Sequence, residues 1–383
     1  MSTPRALRTL GIFGVVFLAA CALRVGEGSN GGTGSTNGPT SPDFGKPPSV
    51  SSVGSGGGSS VTVDVASSVA SGGGVGGTAD VTSSSAEASS SVVTSGSSGS
   101  SVASSSAASG GNGCYSDGDT PAVSLDDLKK GYVGSGWLKS MLAVLDRRYD
   151  HGFHVLDAMK NDPWLKTDLP KYYSMSTWAG MIEAIDTACH EETHGYDFEK
   201  ALAIPGKHVY FHGTGQEVVV PKLNFFPRNK ILAEVQAGGS VTPSYDSTYL
   251  KGSQGELAFI YLADELTAYI NGLACVAAVV DHLEQGSSFR DGVASHLYYL
   301  EVYLRVARTQ YPTLYATWKA DPSWQKYVRL AWARGHYWYD RALPYPLLGS
   351  KDAPIWARVQ DPTNREEIAL YTDEDPSVVA CSP

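Results

Sequence analysis

Apolar and polar positions alternate with helical spacing over most of the chain from residue 114 onward, and this pattern predicts a mainly helical domain. Ser124-Leu-Asp-Asp127 has the form of a capped helix start. After Gly134-Ser-Gly136 a second helix is expected from Trp137 to about Met159. A third starts near Ser176 or Thr177 and stops around Gly195. Its apolar residues Trp178, Met181, Ile182, Ile185, Ala188 and Cys189 share one stripe. On that wheel His190 and His194 point away from the stripe, together with Glu183 and Thr187, so one face would grip the core and the other line a cleft.

The period then switches. Lys207 to Phe211 and Glu217 to Val220 are two short predicted strands, joined by a turn at Gly213-Thr-Gly215. A long, almost wholly apolar helix follows over about Glu256 to Asp281. Further helices are expected at Phe289 to Thr309, Leu314 to Lys319 and Ser323 to Leu343, the last with Asp321 as cap and Pro322 in first position. The C-terminal tail is expected to be irregular. The sum is an α+β fold, mainly α, with a small β-hairpin.

Composition divides the chain before this domain. Arg5 and Arg8 precede an apolar run from Leu10 to Ala20, the form of an export signal over residues 1–20. It ends in Leu18-Ala19-Ala20-Cys21, which resembles a bacterial lipobox and implies acylation of Cys21. Acyl chains hold a protein at a membrane through about 0.8 kcal/mol per buried CH₂. Ala22, not Asp, follows the cysteine, so the expected place is the cell envelope, lipid-anchored, at the outer membrane and periplasmic or surface-facing. Residues 21–113 hold mostly Ser, Gly, Ala, Val and Thr, too little apolar surface to offset backbone ordering, and are expected to form a disordered tether. A coil of that length spans roughly 50 Å.

The chain is acidic, net −10, and carries no basic stripe of the kind nucleic acid requires. Asp264 and Glu265 interrupt the apolar run from Leu257 to Val280, which favours a buried helix over a membrane span. Besides Cys21 there are four cysteines, an even number in an exported chain. Cys114 with Cys381 would tie the ends of the domain together, and Cys189 with Cys275 would join two of its helices; free buried thiols are the alternative.

His190-Glu191-Glu192-Thr193-His194 has the pattern H-E-x-x-H. Histidines at i and i+4 stand one above the other on a helix and can grip one metal ion. The glutamate after the first then sits beside the open coordination position, placed to act as general base. A carboxylate inside the apolar helix, Glu265 with Asp264 as fallback, is costly unless it is paired or metal-bound, and Ala268 one turn on leaves room beside it.

Through His190-Glu-Glu-Thr-His194 and Asp264-Glu-Leu-Thr-Ala-Tyr269 the chain resembles the zincin metallopeptidases of the gluzincin type. The metzincin continuation is absent, with Asp197 and Lys200 in its places. The resemblance implies a zincin-like helical domain over residues 114–383, Zn²⁺ held by His190, His194 and Glu265, and Glu191 as general base and then acid. It also implies a peptide or protein substrate, and a His or Tyr that steadies the oxyanion, for which His336 and Tyr269 are candidates. The chain departs from the family pattern in the charged Glu192 and in a hairpin that follows the motif helix instead of preceding it.

Two other functions compete. Glu191-x-x-His194 is half of a carboxylate di-iron signature, but no second Glu-x-x-His occurs. The other is a non-catalytic tethered envelope or surface binding module whose metal is structural or absent. His151, His154, His208 and His212 are expected to be solvated or structural. The aromatic residues of the last helices, Tyr298, Tyr299, Tyr303, Trp332, Tyr337, Trp338 and Tyr339, are expected to form core.

Overall fold

The computed structural model describes residues 115–118 and 122–378. The signal segment, Cys21, the tether, Cys114 and Cys381 lie outside the described residues, and with them the expected bridge between the last two cysteines.

Taking helices of six residues or more, the order is α1 (Trp137–Arg148), α2 (Asp150–Ala158), α3 (Trp178–Glu183), α4 (Ile185–Leu202), β1 (Lys207–Phe211), β2 (Glu217–Pro221), α5 (Pro243–Tyr249), α6 (Phe259–Ala277), α7 (Phe289–Gln310), α8 (Pro312–Lys319), α9 (Pro322–Ala342), α10 (Asp352–Val359) and α11 (Pro362–Thr372). Helix dominates, and the two strands form one antiparallel pair with Lys207 opposite Pro221 and Phe211 opposite Glu217. Gly213 (φ 131°) and Gly215 (φ 75°) occupy the left-handed backbone region that the predicted turn requires.

Three expectations change. The helix expected from Trp137 to Met159 is two, broken at Tyr149 in extended conformation (φ −158°, ψ 94°). The break lets the buried Tyr149 hydroxyl meet Asp117 at 2.9 Å and receive a bond from Arg334 at 2.7 Å, a tertiary demand that helical periodicity cannot express. The motif segment is likewise two helices, α3 and α4. Thr177 caps the first by accepting from the Gly180 amide, and the second runs past Gly195 to Leu202. The tail is not irregular: α10 and α11 pack on α7, and Asp361-Pro362 starts α11 with the same cap signal as Asp321-Pro322 at α9.

Helix α6 is central. It packs against α4 on one side and α7 and α9 on the others, and no described helix is long and apolar enough to cross a membrane. The core aromatic residues Tyr298, Tyr299, Tyr303, Trp332, Tyr337, Trp338 and Tyr339 are buried as expected. The pairing of α4 with α6 is antiparallel, because Asp186 faces Gly272 while His194, further along α4, faces Asp264, earlier on α6. Gly272 is required there: a Cβ would strike the Phe289 ring and the Asp186 carbonyl. Cys189 and Cys275 form the expected disulfide across this pair.

Arg334, fully buried on α9, donates to Asp117 at 2.8 Å and to the Asn271 amide oxygen at 2.8 Å; the Trp338 indole also donates to Asp117, at 2.6 Å. Asp117→Ala leaves this cation buried without its counter-ion and should destabilise the domain by about 3–5 kcal/mol in urea denaturation. Loss below about 1 kcal/mol would show that the pair contributes little. The disulfide spans 86 residues. Replacing both its cysteines by serine should cost about 2–4 kcal/mol in the same measurement, mainly by freeing the unfolded chain.

Candidate metal centre

Helix α4 supplies His190, Glu191 and His194; α6 supplies Asp264 and Glu265. The antiparallel contact brings the two sets together. His190 Nε2 lies 3.2 Å from His194 Nε2, and Glu265 Oε2 lies 3.7 Å and 3.8 Å from these two nitrogens. Among the described residues these three form the one group of three or more His, Cys, Asp or Glu side chains with ligand atoms close enough to share an ion. Ligands about 2.0–2.1 Å from a tetrahedral zinc stand roughly 3.4 Å apart, so the edges of the triangle are close to the spacing that three of four such ligands require.

Asp264, the fallback ligand, is placed behind the triangle instead. Its Oδ2 lies 2.7 Å from His194 Nδ1, and it lies outside the group of three. A carboxylate on the far nitrogen fixes the tautomer and orientation of a ligating imidazole and raises its basicity. Burial opposes a charge on His194, but Asp264, then Glu265 and Glu191, outweigh it and push the imidazolium up to about 10. Burial and the neighbouring His194 hold His190 well below the ordinary histidine range. Glu191 is 7% exposed, and its charge is felt at His194 and at Tyr269, which sets it beside the triangle.

The far wall is aromatic. Tyr269 meets the His190 ring edge-on with centroids 4.6 Å apart, and Phe289 approaches it at 5.5 Å. Gly292 on α7 makes room, since a Cβ there would enter the Tyr269 ring. The Tyr269 hydroxyl is hydrogen-bonded to that of Tyr249 at 2.7 Å. His296 stacks on Tyr269 at 4.7 Å, and burial first of all holds it neutral, near 3. Burial pushes the Glu265 carboxyl up, opposed by His194 and then by the Arg228 guanidinium, which lies fully buried over the Tyr249 ring at 5.5 Å. Asp264 in its supporting role, Arg228, Tyr249 and His296 all escaped the sequence reading. Only Asp264, next to Glu265, carried any local signal.

Two expectations are corrected. The histidine face of α4 does not line an open cleft, because α6 covers it; the side chains of His190 and His194 are each 9% exposed and that of Glu265 11%. His336 is not brought to the centre. It packs between Trp332 and Trp356, at 4.4 Å and 4.7 Å. Tyr269 does stand at the centre. His151 and His154 serve the hairpin: the first accepts from the Thr214 amide at 3.1 Å, and the second stacks on Phe211. Glu192, the charged departure from the family pattern, is fully buried.

No family model, curated protein or solved structure matches the chain.

Asp264→Asn keeps the size of the side chain but removes the charge behind His194. Metal affinity, measured by competition with a chromophoric chelator, should fall about 10–100-fold, with the fold unchanged by circular dichroism. Equal affinity would show that Asp264 does not support a ligand.

Proposed function

We propose that the protein is a zinc-dependent metallopeptidase, held at the cell envelope by a lipid on Cys21 and acting on peptide or protein substrates within reach of its tether. The observation that carries this reading is the triangle of His190, His194 and Glu265, three donors near tetrahedral spacing, two of them on the helix that also carries Glu191. Zinc bound there would supply a Lewis acid for the scissile carbonyl and lower the pKa of water. Glu191 accepts the proton of the attacking water and delivers it to the leaving amine. Asp264 holds His194 in the ligating tautomer, and Arg228 and Tyr249 oppose the burial that raises the Glu265 carboxyl. Tyr269 is the polar group placed to steady the developing oxyanion, its hydroxyl already oriented by Tyr249.

The burial of the triangle favours a second reading, a structural metal in a non-catalytic tethered module. One substitution separates the two. Glu191→Gln should retain about one zinc per chain while hydrolysis of a fluorescent casein falls by about 10²–10⁴-fold, the usual contribution of a general base. Wild-type protein that carries zinc and hydrolyses nothing would leave the structural reading; hydrolysis undiminished in Glu191→Gln would remove Glu191 from the mechanism.

A further inference from the structure

Past the end of α9, the consecutive residues Leu343-Pro-Tyr-Pro-Leu347 are all apolar and all exposed. Leu343 is 48% exposed, Tyr345 42% and Leu347 40%. Single exposed apolar side chains are ordinary, but an unbroken run of them at a surface calls for a function. The exposed Phe198, Leu202 and Ile204 at the end of α4 differ, because the exposed charges Glu199 and Lys200 interrupt them. The run is also held rigid from beneath. Arg290, itself paired with Asp352 at 2.9 Å, donates to the Ala342 carbonyl at 2.7 Å and to that of Tyr345 at 3.2 Å. The Ser287 amide donates to the Leu347 carbonyl at 2.6 Å, Leu348 is fully buried below, and the two prolines fix φ. A backbone fixed in this way presents its side chains with little ordering left to lose on binding.

The tether reaches the domain at the same end of α9. Tyr115, where the described chain starts, meets the Tyr337 ring at 5.6 Å, and the Gly118 carbonyl accepts from the Tyr337 hydroxyl at 3.3 Å. From Tyr337 to Leu343 the rise along the helix axis is only about 9 Å. Docking at this rim therefore leaves the entry of the tether beside the docked surface, not across the domain from it. A tether spanning roughly 50 Å also makes the contact intramolecular, so a small apolar surface suffices. The flanking charges nearly cancel: Arg341 and Lys351 are basic, Asp340 is acidic and Asp352 is paired with Arg290. The attraction is thus apolar, and Tyr345 has the amphipathic ring that suits the headgroup level of a bilayer.

We propose that the rim Leu343–Leu347 docks on the lipid bilayer, Leu343, Tyr345 and Leu347 entering the boundary between headgroups and acyl chains. The proposal rests on the reading of Cys21 as a lipid anchor, and it is independent of the peptidase reading. The first measurement is flotation of the full chain with phosphatidylcholine vesicles. Wild type should float with them and Cys21→Ser should not, which tests the anchor by itself. The second uses Tyr345→Trp on vesicles containing brominated phosphatidylcholine, with the eight native tryptophans of the wild type as baseline. The emission added by the new tryptophan should fall by at least about half, as expected for a ring at the acyl boundary. Adding Leu343→Glu and Leu347→Glu, both at exposed positions with folding checked by circular dichroism, should abolish this quenching while flotation persists. If the wild type does not float, the anchor reading fails, and the same quenching is measured on a chain held by an N-terminal histidine tag on nickel-chelating lipid. No quenching of Tyr345→Trp on a vesicle-held chain, or quenching that survives the two glutamates, overturns the proposal.

Discussion

Two carboxylates in the middle of an apolar helix are the constraint around which this domain is organised. Asp264 and Glu265 on α6 would be costly in that position unless something opposite them carried complementary charge or hydrogen bonds. The antiparallel contact with α4 provides it: His194 meets Asp264 at 2.7 Å, and both imidazoles face Glu265. The Cys189–Cys275 disulfide and the close approach at Gly272 hold the helices in this register. A slip of one residue on either helix would rotate every one of these groups by about 100° and bury charges against apolar neighbours.

The electrostatics follow from this contact. Low-dielectric surroundings penalise every ionised group, so the centre distributes its charge between paired groups. Asp264 raises the His194 imidazolium against burial, burial holds His190 well below the ordinary histidine range, and burial raises the Glu265 carboxyl against the opposing charges of His194 and Arg228. The aromatic wall of Tyr249, Tyr269, Phe289 and His296 strengthens these interactions by excluding water. It also restricts rotamers, since Tyr269 is confined by its bond to Tyr249 and by the space that Gly292 leaves. Three ligand atoms near tetrahedral spacing are the geometric result.

How much of this was legible in the sequence depended on whether the cause was local. The H-E-x-x-H spacing, the lone acidic pair in an apolar helix, the turn glycines and the Asp-Pro cap at α9 are local signals, and the structure places each as expected. Tyr149 breaks a helix for the sake of Asp117 and Arg334, which lie 32 residues before it and 185 after it, so no window of sequence contains the reason. Arg228, Tyr249 and His296 come to the centre from three separate segments for the same kind of reason. The α11 start carried the same cap signal as α9 and was readable. His336 was separated from the centre by tertiary packing alone, because a histidine on an aromatic helix looks alike in sequence whether it faces a metal or two tryptophans.

Access to the centre is the remaining physical question, and its members are not equally covered. The Asp264 side chain is 29% exposed, against 9% for that of His194 and 11% for that of Glu265. Solvent therefore reaches the group from the Asp264 side. The hairpin that follows the motif helix stands on that side: the Asp264 charge is felt at His208 and Tyr210 of β1, and the Tyr210 hydroxyl donates to the Ile260 carbonyl at 3.0 Å. A strand that arrives after the motif helix can thus flank the centre although its chain order departs from the zincin pattern. Topological order and spatial position are separate properties, and catalysis depends only on the second.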